Sequence, residues 1–214
     1  GKGVFIAKNR READIVIDEM LVQKKFGEAG HRLVVEEFLE GHELTVLVLT
    51  DGRSIKILPS AQDHKRLLPN DQGPNTGGMG SYSPYLLDRK TQGLIENVII
   101  RPTILALHDN GIVYHGVLYF GLILTSKGPK VLEYNCRFGD PEAQAILPLI
   151  SSDLLPALTA TKEDQLDEVN LEFRNKMTIC FVLASAGYPG YYETGKSIKI
   201  ESLETSQLLI FHAG

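Results

Sequence analysis

The sequence predicts an α+β fold, and three observations support this class. Segments rich in β-branched residues alternate along the chain with segments whose apolar residues recur at helical spacing. The 214 residues are 43% hydrophobic and 23% charged, which suits a globular protein with a buried core. No apolar run reaches the roughly 18 residues of a membrane-spanning helix. We therefore expect one or two globular domains and no membrane partner.

Charge and cysteine content narrow the class further. The formal net charge is −5, whereas a nucleic-acid-binding protein is expected to carry a basic excess. Cys136 and Cys180 are too few for a disulfide framework, which favours a reducing compartment such as the cytoplasm. The chain begins without methionine, and both ends resemble the middle of an element. We therefore expect a piece of a longer protein, and the alternative is the scar of a processed tag.

The first 60 residues are predicted to form a small α+β lobe. Asn9 and Glu12 form a capping box for a helix that is expected to end at Gly27 or Gly30. Asp51-Gly52 is a strong hairpin turn between the last two predicted strands. The predicted strands of this lobe are residues 4–7, 32–38, 44–50 and 54–58.

A larger lobe is expected over residues 61–161. It opens with a loop at 60–87 that is rich in Gly, Pro and Asn, and loops of this length are usually functional. A helical region at 88–110 must kink or restart at Pro102. Strands are predicted at 115–125 and 130–135, and helices at 142–149 and 152–161. The polar stretch 162–175 is a candidate boundary, followed by a buried strand at 176–185, a turn at 187–190 and short closing strands in a C-terminal domain, 162–214.

Glu133 and Asn135 give the clearest indication of chemistry. Alternate residues of a strand share a face and lie about 6.6 Å apart along the chain, and Val131 is expected on the same face. Two neighbouring oxygen ligands at a strand end suit a hard cation such as Mg²⁺. The alternative is a solvent-facing strand edge with two ordinary polar residues.

A charged turn follows that strand. Arg137 offers a fork of donors for a phosphate or a carboxylate. Asp140 and Pro141 are typical of a helix start, with Asp140 as N-cap. The alternative is that Arg137 only staples the turn by pairing with Asp140 or Glu142. Cys136 is expected to pack inside, on the opposite face of the strand.

The long loop holds a second candidate site. Four glycines within residues 73–80 would let backbone N–H groups approach an anion, and Lys65 and Arg66 add positive charge nearby. Anion binding is therefore favoured over a plain turn. His64 could act as a base, although a lone histidine more often makes a structural hydrogen bond.

Two weaker candidates lie nearer the start of the chain. Residues 36–43 could read an adenine edge through exposed backbone, with Glu43 accepting from ribose hydroxyls. From the residues alone, a solvated hairpin connection is favoured there. Gly1-Lys2-Gly3 could cover phosphates, but its spacing is not that of a P-loop.

Three segments taken together resemble the phosphoribosylamine–glycine ligase family of the ATP-grasp superfamily. The segments are residues 62–66 (QDHKR), 73–80 (GPNTGGMG) and 133–142 (EYNCRFGDPE). The resemblance implies two α+β lobes clasping ATP, plus the start of a small β-rich C-terminal domain. It also implies ATP-dependent ligation of glycine to 5-phosphoribosylamine through a glycyl phosphate, in purine biosynthesis.

The resemblance further implies individual roles. Glu133 and Asn135 would hold Mg²⁺ or Mn²⁺, and Arg137 and Lys65 would be catalytic. The ATP-binding residues would be Gly1, Lys2, Glu36, Glu37, Phe38, Leu39 and Glu43. The substrate-binding residues would be Asp63, His64, Asn75, Thr76, Gly77, Gly78 and Asp140.

The family also has an N-terminal domain and a lysine-bearing strand before the position of Gly1, and it continues beyond Gly214. The isolated chain is therefore expected to be inactive or nearly so. The alternatives are another ATP-grasp carboxylate–amine ligase and a non-catalytic nucleotide-binding module. The presence of Glu133, Asn135 and Arg137 argues against the second.

Overall fold

The computed structural model describes residues 3–70, 72–200, 205 and 207–213. The chain divides into two compact units, Gly1–Glu40 and Gly41–Gly214, which are described separately below. Among the described residues, no helix has the length and apolar character needed to cross a membrane. The domain boundaries predicted at residues 60 and 161 stay predictions.

The first unit contains a capped helix, α1, at Arg10–Ile17, continued by a π-helical turn at Asp18–Val22. The side chain of Asn9 accepts from the N–H of Glu12 at 3.0 Å, which confirms the predicted cap. The Glu12 carboxylate in turn accepts from the N–H of Lys8 at 2.9 Å. The helix therefore begins where the capping box predicted. The Glu12 side chain accepts from the residue before the N-cap, whereas in the usual capping box it accepts from the N-cap itself.

The strands predicted at residues 4–7 and 32–38 are not formed. Neither segment pairs with a strand in the part of the chain that the structure describes. A strand needs a ladder partner, and β-branched composition alone does not supply one. Val34 and Val35 are accordingly exposed, and a 3₁₀ helix at Gly27–His31 precedes them.

The strands described in the second unit form three antiparallel sheets. The main sheet has the order β2-β1-β7-β8, and the smaller ones have the orders β3-β6-β9 and β4-β5. The strands are β1 (His42–Thr50), β2 (Ile55–Ile57), β3 (Gln62–Asp63), β4 (Arg66–Leu68), β5 (Gln72–Asn75), β6 (Gly80–Ser83), β7 (Gly116–Thr125), β8 (Gly128–Asn135) and β9 (Thr178–Phe181).

Helices of the second unit cover both faces of the main sheet. They are α2 (Arg89–Leu94), α3 (Arg101–Asp109), α4 (Glu142–Ile146) and α5 (Leu154–Lys162). Val48 and Phe120 pack on one face with Ile100 from the π-helical turn Ile95–Ile100, which joins α2 to α3. Leu47 packs on the other face with Ile146 of α4. Because β1 is buried on both faces, it reads as a nearly continuous apolar run.

Several elements confirm the sequence predictions. The hairpin after β1 forms, and the Asp51 side chain accepts from the N–H groups of Arg53 and Ser54 at 3.0 and 2.7 Å. Pro102 lies in the first turn of α3, where its missing N–H costs nothing. The turn between β7 and β8 is shorter than predicted, because β8 begins at Gly128.

The prediction of a structureless loop at residues 60–87 is wrong, because four short strands, β3 to β6, run through it. Strands of two to four residues are too short to show a period. Part of their pairing comes from far along the chain, since β6 pairs with β9 through Gly80 and Phe181. Strand β9 was predicted to be buried, yet Phe181 is 78% exposed.

A β-bulge interrupts the pairing of β7 with β8. Glu133 lies opposite Gly121 and Val131 lies opposite Leu122, so Leu132 is the extra residue. The bulge interrupts the alternation of side chains between the two faces of β8. Val131 packs on the face that carries Val48 and Phe120, whereas Glu133 projects from the other face. The prediction that Val131 shares the face of Glu133 is therefore wrong.

The turn after β8 also differs from prediction. Cys136 is exposed rather than packed inside. Helix α4 begins at Glu142 with Pro141 in the cap position, so Asp140 is not the N-cap. Asp140 instead accepts from the side-chain amide of Gln144 at 2.7 Å.

Candidate functional site

One face of the main sheet becomes polar toward the end of β8. Thr45, Gly121 and Glu133 lie in one row across β1, β7 and β8. Tyr119 and Asn135 occupy the neighbouring row on the same face. The register therefore brings side chains from three strands to one polar patch.

Glu133 and Asn135 are neighbours on this patch, as their spacing predicted. The Asn135 amide donates to Glu133 Oε1 at 3.3 Å. Gly121 makes room for this pair, because a Cβ there would lie 2.9 Å from Glu133 Cγ. A carboxylate and an amide side chain placed side by side can offer oxygen ligands to a Mg²⁺ or Mn²⁺ ion that completes its shell with phosphate and water. Within the described ranges, no group of three or more His, Cys, Asp or Glu side chains could hold a metal alone.

Lys65 is the cation of the patch. Its Nζ lies 2.6 Å from Glu43 Oε2, and Asp63 and Glu133 also act on it electrostatically. Burial disfavours its charge, but the bond to Glu43 and the surrounding carboxylates outweigh burial and raise the pKa of Lys65. A positively charged ammonium group is therefore held beside Glu43, near the start of β1, where it also interacts electrostatically with the Glu133 carboxylate.

Asp63 presents an acceptor that nothing in the described chain satisfies. Its Oδ1 is buried and has no hydrogen-bond partner. Burial, and next the neighbouring Glu142 carboxyl group, raise the pKa of Asp63 to about 7. Gly78 allows the glycine loop to pass close by, because a Cβ at that position would lie 2.9 Å from Asp63 Oδ1 and would clash with Pro141.

Glu142 is a polar group that sequence reasoning treated only as a partner for Arg137. It is 2% exposed, and its Oε1 accepts from Thr45 Oγ1 at 3.0 Å and from the Tyr119 hydroxyl at 2.8 Å. Burial and the Glu142 carboxyl group raise the pKa of Tyr119. Thr45 and Tyr119 interrupt apolar runs of their strands. Because buried hydroxyl groups need a hydrogen-bond partner, these two residues were the sign in the sequence that a buried polar group such as Glu142 lies nearby.

Arg137 contacts its own turn through a backbone carbonyl and not through an ion pair. Its guanidinium donates to the backbone carbonyl of Phe138 at 2.8 Å. Over the described residues it makes no ion pair with Asp140 or Glu142. The exposed fork is therefore available to an anion from solution.

Several backbone N–H groups of the glycine loop, residues 73–80, donate to other groups of the protein. Gly78 donates to Thr76 Oγ1 at 3.0 Å, and Gly77 donates to the Tyr188 hydroxyl at 2.9 Å. Thr76 and Met79 donate to the carbonyls of Lys65 and His64 at 2.7 and 2.8 Å. The expected cradle of free N–H groups is therefore not present in this arrangement.

The remaining predicted site residues are placed as follows. Asn75 ends the exposed strand β5, and the His64 ring stacks on Tyr82 with centroids 6.1 Å apart. Residues 36–39 lie in the first unit, in a segment that is neither helix nor strand. Gly1 and Lys2 lie outside the described residues.

Family comparison agrees with these motifs. Residues 1–143 match the family model described as phosphoribosylglycinamide synthetase, ATP-grasp (A) domain. The phosphoribosylamine–glycine ligase of Caldanaerobacter subterraneus subsp. tengcongensis is 46% identical over 216 residues, which cover 100% of this chain and 51% of that protein. The trifunctional purine biosynthetic protein adenosine-3 of Drosophila melanogaster is 47% identical over 217 residues, 100% of this chain and 16% of that protein.

Solved structures give the same answer. The crystal structure of phosphoribosylamine–glycine ligase from Thermotoga maritima matches with a TM-score of 0.81 and 34% identity, covering 94% of this chain and 51% of that one. A biotin carboxylase from Campylobacter jejuni, at 17% identity and a TM-score of 0.60, shares the fold alone over 87% of this chain and 40% of its own. The chain spans about half the length of the single-function ligases that it matches. With 143 of its 214 residues matched by the family model, the chain belongs to the phosphoribosylglycinamide synthetase family and has its ATP-grasp fold.

Proposed function

We propose that this chain carries the ATP-grasp part of a phosphoribosylamine–glycine ligase. In the proposed reaction, a glycine carboxylate oxygen attacks the γ-phosphorus of ATP and ADP leaves. The amine of 5-phosphoribosylamine then attacks the glycyl phosphate, loses a proton, and displaces phosphate to give glycinamide ribonucleotide. The observation that carries the proposal is the patch where Glu133, Asn135 and Lys65 lie together.

Phosphoryl transfer depends mainly on positioning and charge neutralisation, and this patch supplies both. Glu133 and Asn135 would hold Mg²⁺ or Mn²⁺, and the ion would neutralise charge on the ATP phosphates. Lys65 adds a fixed positive charge beside them, already oriented by Glu43. Arg137 contributes a bidentate fork for the transferred phosphoryl group or the acyl phosphate.

Asp63 is suited to the amine side of the reaction. Its Oδ1 needs a donor, and an ammonium or amine group of a substrate is one. A carboxyl group with a pKa of about 7 can also take the proton that the attacking amine loses. The other proposed substrate contacts are His64, Asn75, Thr76, Gly77, Gly78 and Asp140.

The proposed ATP site takes its residues from the first 43 positions of the chain. Its members are Gly1, Lys2, Glu36, Glu37, Phe38, Leu39 and Glu43. The proposed location is the cytoplasm, where the small-molecule substrates of purine biosynthesis occur. The names of the relatives, which are ligases and purine biosynthetic proteins, support the proposed role in purine biosynthesis.

The test is a substrate panel on the full-length enzyme. ADP release should require glycine and phosphoribosylamine together, and other carboxylates should not replace glycine. Glu133→Gln should lower turnover about 100-fold or more, because it removes one charged ligand from a transition-state contact. Glu168→Gln, a change at an exposed carboxylate away from the patch, is the matched control and should keep full turnover. Unchanged turnover in Glu133→Gln would contradict the metal assignment.

A further inference from the structure

The glycine loop is fastened by residues far along the chain. The N–H of Gly77 donates to the hydroxyl of Tyr188 at 2.9 Å, across 111 positions. The N–H of Val182 donates to the carbonyl of Met79 at 3.0 Å. Strand β6, which follows the loop, pairs with β9. Residues 178–188 therefore hold this loop at more than one point.

The Tyr188 hydroxyl is itself held in place. Its ring packs edge-to-face on Tyr192, with centroids 5.7 Å apart and planes at 67°. A Cβ at Gly77 would lie 3.3 Å from the hydroxyl oxygen, so a larger residue there would crowd the bond. The donor and the acceptor are therefore fitted to one another.

This bond lies one residue before Gly78, where the loop passes close to Asp63. Gly78 packs between the Asp63 carboxylate and Pro141, and its φ of +124° is a conformation that favours glycine. The backbone at Gly77 sets the direction in which the chain enters Gly78. The Tyr188 bond thus fixes the loop over the unsatisfied oxygen of Asp63.

We propose that Tyr188 is a positioning residue for the substrate loop. It lies beyond residues 1–143, so a side chain outside the matched ATP-grasp domain shapes the site. Which substrate loses affinity when this bond is removed depends on the proposed function, whereas the effect of the bond on the loop does not. Two independent measurements therefore separate the two claims.

The first measurement is amide hydrogen exchange in the intact protein. Tyr188→Phe removes only the hydroxyl and keeps the ring packing on Tyr192. Exchange at the Gly77 amide should become about tenfold faster, as expected for the loss of one ordinary hydrogen bond. Tyr192→Phe, the control, removes a hydroxyl from the same ring pair and should leave exchange at Gly77 unchanged. Equal exchange in Tyr188→Phe and the unaltered protein would overturn the proposal, whether or not the enzyme ligates glycine.

The second measurement is steady-state kinetics of the full-length enzyme. Tyr188→Phe should raise the KM for glycine or phosphoribosylamine several-fold, while kcat and the KM for ATP stay within about twofold. A purely structural role would instead lower the unfolding temperature and alter the parameters together. Faster exchange at Gly77 without any KM change would show that the bond does not position the site, and would overturn the proposal.

Discussion

Asp63 gives the patch a pH dependence whose sign follows from its environment. Its pKa is about 7 in the folded chain, against 3.8 as the ordinary value, because of burial and the Glu142 carboxyl group. Lys65 opposes this shift, and Glu43 and Tyr119 are the other titratable groups nearby. Between those two pH values the folded state binds more protons than the unfolded state.

We therefore expect the stabilisation that protonated Asp63 provides to be full below about pH 4 and to be lost as the pH rises through 7. The slope of the unfolding free energy against pH is at most about 1.4 kcal/mol per unit for one such group. Asp63→Asn, which cannot ionise, should remove this part of the slope. Urea unfolding of both proteins from pH 4 to 8 measures it. Parallel curves for the two proteins would show that Asp63 titrates normally.

At this scale the sequence predicted some residues and missed others for physical reasons. Glu133 and Asn135 were found because strand periodicity fixes which side chains share a face. Glu142 was missed because its role depends on two strands that approach it in space, 97 and 23 positions away from it in the chain. The unsatisfied oxygen of Asp63 is likewise invisible without the fold. The periodicity of a sequence identifies side chains that are neighbours within one element. Which polar groups become buried is determined only when the elements pack together.

At the scale of elements, the pairing of β7 with β8 positions the proposed metal ligands through a glycine. A Cβ at Gly121 would lie 2.9 Å from Glu133 Cγ and 3.2 Å from Tyr119 Cε1. Gly121→Ala should therefore displace Glu133 and destabilise the chain by about 1–3 kcal/mol, the usual range for overpacking. The full-length enzyme should lose at least about tenfold in Mg²⁺-dependent turnover.

Gly93→Ala is the matched control for this change. Gly93 lies within α2, and the nearest atom to its Cβ position, other than its own helix backbone, is Asn97 Nδ2 at 4.0 Å. This substitution should stabilise the chain by about 0.5–1 kcal/mol, because alanine favours a helix over glycine. Urea unfolding compares the two variants. If Gly121→Ala were as stable as the unaltered chain, the glycine would not be needed to seat Glu133.

Elements were predictable in proportion to their length and local pairing. The long strands β1, β7 and β8 were found from their runs of apolar and β-branched residues, and the helical region at 88–110 was found from its helical period. The bulge at Leu132 was not found, because one extra residue changes no composition and only shifts the alternation. The strands in residues 60–87 were missed because part of their pairing comes from β9, about a hundred residues later.

At the scale of the whole molecule, the described core has two layers around one sheet. Apolar clusters cover both faces of β1 and β7. On the face that carries Leu47 and Ile146, the polar patch takes the place of the apolar cluster toward the end of β8. The class α+β could be predicted from alternating patterns, and the family from three short motifs. The arrangement of the helices on the two faces of the sheet could not be predicted, because the periodicity of a helix does not show which face of the sheet it covers.

The isolated 214-residue chain provides the last prediction. It spans about half the length of its single-function relatives, and the family resemblance implies that the rest of the enzyme contributes to the substrate site. We expect glycine-dependent ADP release by this chain to fall below about 1% of the full-length rate, because misplacing reacting groups by about 1 Å already costs about 100-fold. Coupled ADP detection measures both proteins side by side.

Two controls make that comparison decisive. A cooperative urea transition must first show that the isolated chain is folded. Calorimetric titration with Mg²⁺ and ATP then separates binding from chemistry, with Glu133→Gln as the variant that should weaken any Mg²⁺-dependent heat. Full turnover by the folded chain would mean that the patch of Glu133, Asn135 and Lys65 suffices for ligation. Binding without turnover would instead assign nucleotide recognition to this chain and the remaining substrate contacts to the rest of the enzyme.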